Sequence, residues 1–186
     1  MAKAREIPDL SPEDAYAAAA AKILDVRTQE LIDHSRGVLE LEDIEALHSM
    51  RVATRRLRAA LEVFEVCFPR RPYRAALSEV KGLADALGER RDRDVAIDSL
   101  TTFAGKLSAS DRHGVSSLVE ALRVEQHDVN EKLRSDVTEA RISALRERLS
   151  GLIDEARRTG SKPALASEPA IALGPQATGN GTGKVA

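Results

Sequence analysis

Apolar residues recur every three or four positions through most of this chain, the period of an α-helix with one buried face. The pattern is clearest at Leu47, Met50, Thr54, Leu57, Leu61, Phe64 and Phe68. That seam predicts a helix from about Glu42–Asp43 to just before Pro69. Upstream, Ser11-Pro12-Glu13-Asp14 offers an N-cap hydroxyl, a proline for the first turn and acids for the positive end of the helix dipole. A first helix is expected from there to about Ser35 or Gly37. Leu77, Val80, Ala84 and Leu87 mark a third, with Gly88 placed as its C-terminal cap. Asp92 is expected to cap a fourth, with Val95, Leu100 and Phe103 as its apolar members. Asp111 opens a fifth, with Val115, Leu118, Leu122 and Val129 facing inward, and Ser135–Asp136 breaks it. Ile142, Leu145, Leu149 and Leu152 carry a sixth, which ends at Gly160.

No segment alternates with the period of two that a strand requires, and the connections are short. The expected fold is therefore all-α, an antiparallel bundle of about six helices over residues 11–159. From residue 160 to 186 the chain reads GSKPALASEPAIALGPQATGNGTGKVA, with five Gly, three Pro and no periodicity. A disordered tail rather than a second domain is expected there.

Composition narrows the core. Hydrophobic residues make up 42% of the chain but aromatics only 3%, so the helices must pack through Ala, Leu and Val. The net charge of -2 gives no hint of a partner, but its distribution does. Residues 48–93 hold eleven Lys and Arg against six Asp and Glu, whereas the rest of the chain is acidic. Basic charge gathered in one segment suggests an anionic partner met at one site. Cys67 is the only cysteine, so no intrachain disulfide forms. The N-terminal residues lack an apolar signal-peptide core, and no stretch approaches the roughly 18 apolar residues of a membrane span. A soluble, cytoplasmic protein that does not contact membrane is the expectation.

On a helical wheel with Leu47 at the origin, the apolar seam of the second helix occupies about 260° to 360°. His48, Arg51, Arg55 and Arg58 fall beside it, at about 20° to 100°, and Arg56 falls near 180°. The only acid at a helical pairing distance from these arginines is Glu62, four residues after Arg58. Unpaired arginines beside a core repel one another unless a polyanion, or acids from another helix, neutralises them. Lys81 follows the seam residue Val80, and Arg90, Arg91 and Arg93 are expected on the loop after the third helix. Two helices and a loop could then line one basic groove. Guanidinium suits phosphate because its planar fork bonds two oxygens at once. The competing reading, snorkelling arginines satisfied by acids of neighbouring helices, stays open at this point.

His48-x-x-Arg51-Val52-x-x-Arg55-Arg56-Leu57-Arg58, followed by Leu87-Gly88-x-x-Arg91-Asp92-x-Asp94-Val95, resembles the first half of a CHAD domain, the conserved histidine α-helical domain. The resemblance runs from Ala15 to about Ile153 and is firmest from Leu47 to Val95. It implies a helical fold of two pseudo-symmetric four-helix bundles whose basic side chains face a channel for inorganic polyphosphate. It further implies an anion-binding set of His48, Arg51, Arg55, Arg56, Arg58, Lys81, Arg90 and Arg91, with Asp92 and Asp94 supporting the loop. A second basic helix, usual in the family, has no counterpart here: His113 and His127 are followed by Ser116 and Asn130 where Arg is needed. Three arrangements would fit: a homodimer that restores a two-sided channel, an open and weak groove, or a degenerate member. An unpaired apolar and basic face favours the homodimer.

Other signals add little. GNGTGKV lacks the first Gly and the final Ser or Thr of a phosphate loop, at Thr178 and Val185, and no strand precedes it. The four His and one Cys have no metal-ligand spacing, so neither a metal nor a cofactor is expected. No nucleophile with an adjacent base is recognisable, and the E-x-E-x-K motif of triphosphate-hydrolysing domains that accompany this family is absent. The expected function is thus non-catalytic polyphosphate binding in the cytoplasm, with association to polyphosphate granules. A nucleic-acid binder is the first rival, weakened by two Tyr, three Phe and no Trp on which bases could stack. A purely structural or scaffolding bundle is the second.

Overall fold

A computed structural model describes residues 3–160, and the Gly- and Pro-rich segment expected as a disordered tail lies outside the described residues. The chain forms five α-helices, α1 (Tyr16–His34), α2 (Ile44–Val63), α3 (Arg70–Ala104), α4 (Ala109–Asp136) and α5 (Glu139–Gly160), with one 3-10 turn at Glu65–Cys67. No strand occurs among the described residues, so the all-α expectation holds. No helix is long and apolar enough to cross a membrane.

The local capping chemistry accounts for most of the boundaries. The Asp43 carboxylate accepts from the Ala46 N–H at 2.9 Å and starts α2. Ser108, rather than Asp111, caps α4, accepting from the Asp111 N–H at 3.4 Å. Thr138 accepts from the Arg141 N–H at 3.3 Å as α5 begins. Ser11, expected to start the first helix, does not. Asp14 folds back to accept the Ser11 N–H at 2.9 Å and is held by Lys22 at 2.8 Å, which closes a turn one step ahead of α1.

The largest departure from the sequence pattern is α3. The third and fourth expected helices are one helix of 35 residues, about 52 Å long, running straight through Gly88 and Asp92. Glycine in a helix interior costs about 1 kcal/mol relative to alanine. Here that cost is offset because Leu83, Leu87, Arg90 and Asp94 are all buried on one face, and Arg90 Nη1 bonds Asp94 one turn on at 3.0 Å. Gly88 therefore caps nothing, Asp92 starts no helix, and Arg90, Arg91 and Arg93 are helical rather than on a loop.

The core is built by α1, α2, the first half of α3 and α5, with Leu24, Leu31, Leu47, Met50, Leu57, Leu61, Val80, Leu87, Leu149 and Leu152 almost fully buried. Close approach of α1 and α5 depends on glycine at one point: a Cβ on Gly160 would lie 2.6 Å from the Ala18 nitrogen. α4 packs chiefly on α3. Its base joins the core through Leu133, and Asn130 donates to the Leu39 carbonyl at 2.9 Å. Beyond that, α4 and the second half of α3 form a two-helix arm, in which Ala104, Val119 and Val129 are buried. Three positions expected to face inward do not: Val95, Phe103 and Leu118 remain 48%, 51% and 49% exposed.

Candidate polyanion-binding groove

The short connection after α2 returns the chain antiparallel along α3, and the two helices enclose an open groove of about 730 Å³. From α2 it is lined by Arg51, Arg55, Arg58, Ala59 and Glu62, and from α3 by Ala84, Asp85, Gly88, Glu89, Asp92 and Arg93. The space exists because three of those positions, Ala59, Ala84 and Gly88, carry almost no side chain. On α3 the lining residues recur at steps of three and four, so they share one stripe of the uninterrupted helix.

The groove is not uniformly basic. Arg51, Arg55 and Arg58 on α2 face Asp85, Glu89 and Asp92 on α3, while each wall also carries one residue of the other sign, Glu62 on α2 and Arg93 on α3. Arg58 Nε lies 3.1 Å from Glu62, and Lys81 Nζ lies 3.2 Å from the same carboxylate oxygen. The Arg58 and Lys81 hydrogen bonds hold the Glu62 carboxyl below its ordinary pKa. Arg93 spans Glu89 at 4.0 Å and Glu125 of α4 at 3.6 Å. Arg51 and Arg55, by contrast, make no ion pair or hydrogen bond among the described residues, and neither do Asp85 and Asp92.

The expected anion-binding residues divide. Arg51, Arg55 and Arg58 share the groove, with Lys81 at its Glu62 end. His48 is half-buried one turn before Arg51 and is not among the lining residues. Arg56 turns the other way, toward α1, where its Nη1 stands 3.9 Å from Glu30. Arg90 does not face the groove at all: its side chain is fully buried in the α3–α4 contact. Burial draws its guanidinium pKa down and pushes the Asp94 carboxyl up, while their mutual attraction works against both changes. Gln126 donates to the other Asp94 oxygen at 2.6 Å. Arg90 Nε and Nη2 and Arg91 Nη1 are buried without a protein partner, and Arg91 also lies outside the lining. Asp92, expected to cap a helix or orient Arg91, is exposed on the acidic wall instead.

Sequence reasoning missed the acids Asp85 and Glu89 as groove residues. The signal was their spacing with Asp92 and Arg93, legible only once α3 is read through Gly88. It also missed Glu30, 1% exposed, which accepts from the Arg5 N–H at 2.6 Å and the Arg27 guanidinium at 2.5 Å. Among the described residues no group of His, Cys, Asp or Glu could hold a metal ion. Cys67 is half-buried, and burial raises its thiol pKa.

Comparison with known proteins finds no matching curated protein and no matching solved structure. The family model of the CHAD domain matches residues 22–178, most of the chain. A chain that is all-α over its described residues, with the arginine row of α2 lining a groove and a family match of that extent, belongs to the CHAD-domain family.

Proposed function

We propose that this CHAD domain is a non-catalytic binder of inorganic polyphosphate, which it takes lengthwise along α2. The observation that carries the reading is that Arg51 and Arg55, one turn apart, face a groove of about 730 Å³ with no carboxylate among the described residues paired to either. Guanidinium groups held that close repel one another, and a chain of phosphates relieves the repulsion while accepting their paired N–H donors. Arg58 and Lys81 extend the row once they leave Glu62, and His48 stands at its other end. The row from Arg51 to Arg58 is about 10 Å long, enough for several phosphates of a flexible polymer.

The acids of α3 shape this selectivity. They cancel the field that would draw in any polyanion, so binding depends on phosphates fitting along the arginine wall rather than on net charge. Nucleic-acid bases would find few aromatic side chains to stack on. A cytoplasmic role beside polyphosphate granules accords with this reading.

The test is a titration with polyphosphate and with duplex DNA at equal phosphate concentration, over a salt series. Polyphosphate should bind, with log K falling against log salt by about 0.7 per phosphate contacted. Absence of binding, or DNA binding as tightly, would overturn the reading. A structural bundle is the second reading, supported by Arg56, Arg58 and Arg90, each of which has a carboxylate within 4.0 Å. It predicts that replacing Arg51 and Arg55 leaves polyphosphate behaviour unchanged.

A further inference from the structure

We propose that the arm made by α4 and the second half of α3 docks a second copy of this chain, tip against base. The upper part of α4 has no substantial partner but α3, and a lone pair of amphipathic helices leaves part of each apolar face in water. On a wheel, Arg93, Ala96, Leu100 and Phe103 share a sector of about 80° on α3, and Gly114, Leu118, Ala121 and Glu125 one of about 60° on α4. The Arg93–Glu125 contact joins these two sectors, so they form one side of the arm. Phe103 and Leu118, each about half exposed, are its most exposed large apolar members. This face continues the groove stripe of α3: the positions that are acidic at Asp85, Glu89 and Asp92 become apolar at Ala96, Leu100 and Phe103.

Charge selects the occupant and its direction. The base of the arm carries Glu89, Asp92 and Glu125 against Arg93. The tip carries Lys106 and Arg112, the latter held on the Ala104 and Leu107 carbonyls, against Asp111, whose carboxylate is bonded to the Ser108 hydroxyl. Two arms laid parallel would set like charge on like. A two-fold axis across the middle of the face sets each positive tip on the other copy's negative base and buries Phe103 and Leu118 twice. Lys106 of each copy then meets Glu89 and Asp92 of the other, two of the three α3 acids that face the groove arginines. The surface and its test stand whatever ligand the groove takes.

Light scattering on the full chain, with reductant to keep Cys67 from cross-linking and without polyphosphate, reads the assembly directly. At tens of micromolar the mass should be twice that of one chain. Phe103→Glu and, separately, Leu118→Glu should give monomers with unchanged helicity by circular dichroism, since neither side chain is in the core. Lys106→Glu should weaken the dimer, and Asp92→Lys in the same chain should restore it. A wild-type monomer throughout that range, or a dimer that survives both apolar substitutions, overturns the proposal. A double variant no tighter than Lys106→Glu overturns the tip-on-base arrangement.

Discussion

Lys81 of α3 and Glu62 of α2 meet at 3.2 Å, and through that contact the two walls of the groove are tied at one end. Arg58 shares the same carboxylate oxygen, so one acid occupies two of the cations nearest the unpaired arginines.

Glu62→Gln should therefore strengthen polyphosphate binding rather than weaken it. Freeing Arg58 and Lys81 is worth about 1 kcal/mol, roughly fivefold in affinity. Unfolding stability should move by less than about 1 kcal/mol, because exposed pairs contribute little. Isothermal titration beside urea denaturation separates the two quantities, and weaker binding would show that phosphate does not compete for these cations.

Arg51→Ala combined with Arg55→Ala should abolish most binding and flatten the salt dependence by about 1.4, the share of two phosphate contacts. Arg56→Ala is the control that the fold supplies. Its side chain faces Glu30 on the far side of α2, so affinity should stay within about twofold while thermal stability falls. If Arg56→Ala abolishes binding with the fold intact, the phosphate path does not follow the groove.

The buried Arg90–Asp94 pair calls for a stability measurement. Arg90→Met leaves the Asp94 carboxylate buried without its cation, and should cost about 3–5 kcal/mol in urea denaturation. Adding Asp94→Leu should recover much of the loss, since a matched apolar pair removes the orphaned charge. Variants that remain folded should bind polyphosphate normally, because Arg90 does not reach the groove.

Glu30 sets an acid limit on the fold. Burial alone would raise its pKa, but the Arg5 N–H, the Arg27 hydrogen bond and the charges of Arg27 and Arg56 together hold it below the ordinary carboxylate value. A folded-state pKa below the unfolded one means stability that is complete above the unfolded value and lost as pH falls through the folded one. Asp94, raised by burial, has the opposite sign and takes up its proton at a higher pH without loss of stability. Denaturation midpoints from neutral pH into the acid range should therefore drop, and Glu30→Gln should flatten that drop while lowering stability at neutral pH. A wild-type curve that is level through the acid range would contradict the assignment.

What the sequence by itself determined is local. The seam of α2, its start at Asp43, the break between α4 and α5, and the row Arg51, Arg55 and Arg58 all follow from the 3.6-residue period and from caps acting within one turn. Only the tertiary structure decided what lies opposite that row. Reading Gly88 and Asp92 as a stop and a start followed local preference, yet packing of Leu87 and the Arg90–Asp94 bond carried α3 across both. That continuity turned Asp85, Glu89 and Asp92 into the facing wall, drew Arg90 into the interior and lifted Phe103 and Leu118 into solvent. A difference of about 1 kcal/mol in helix propensity is smaller than the burial of two or three side chains, so contacts between helices overrule it, and those contacts are not written in the period.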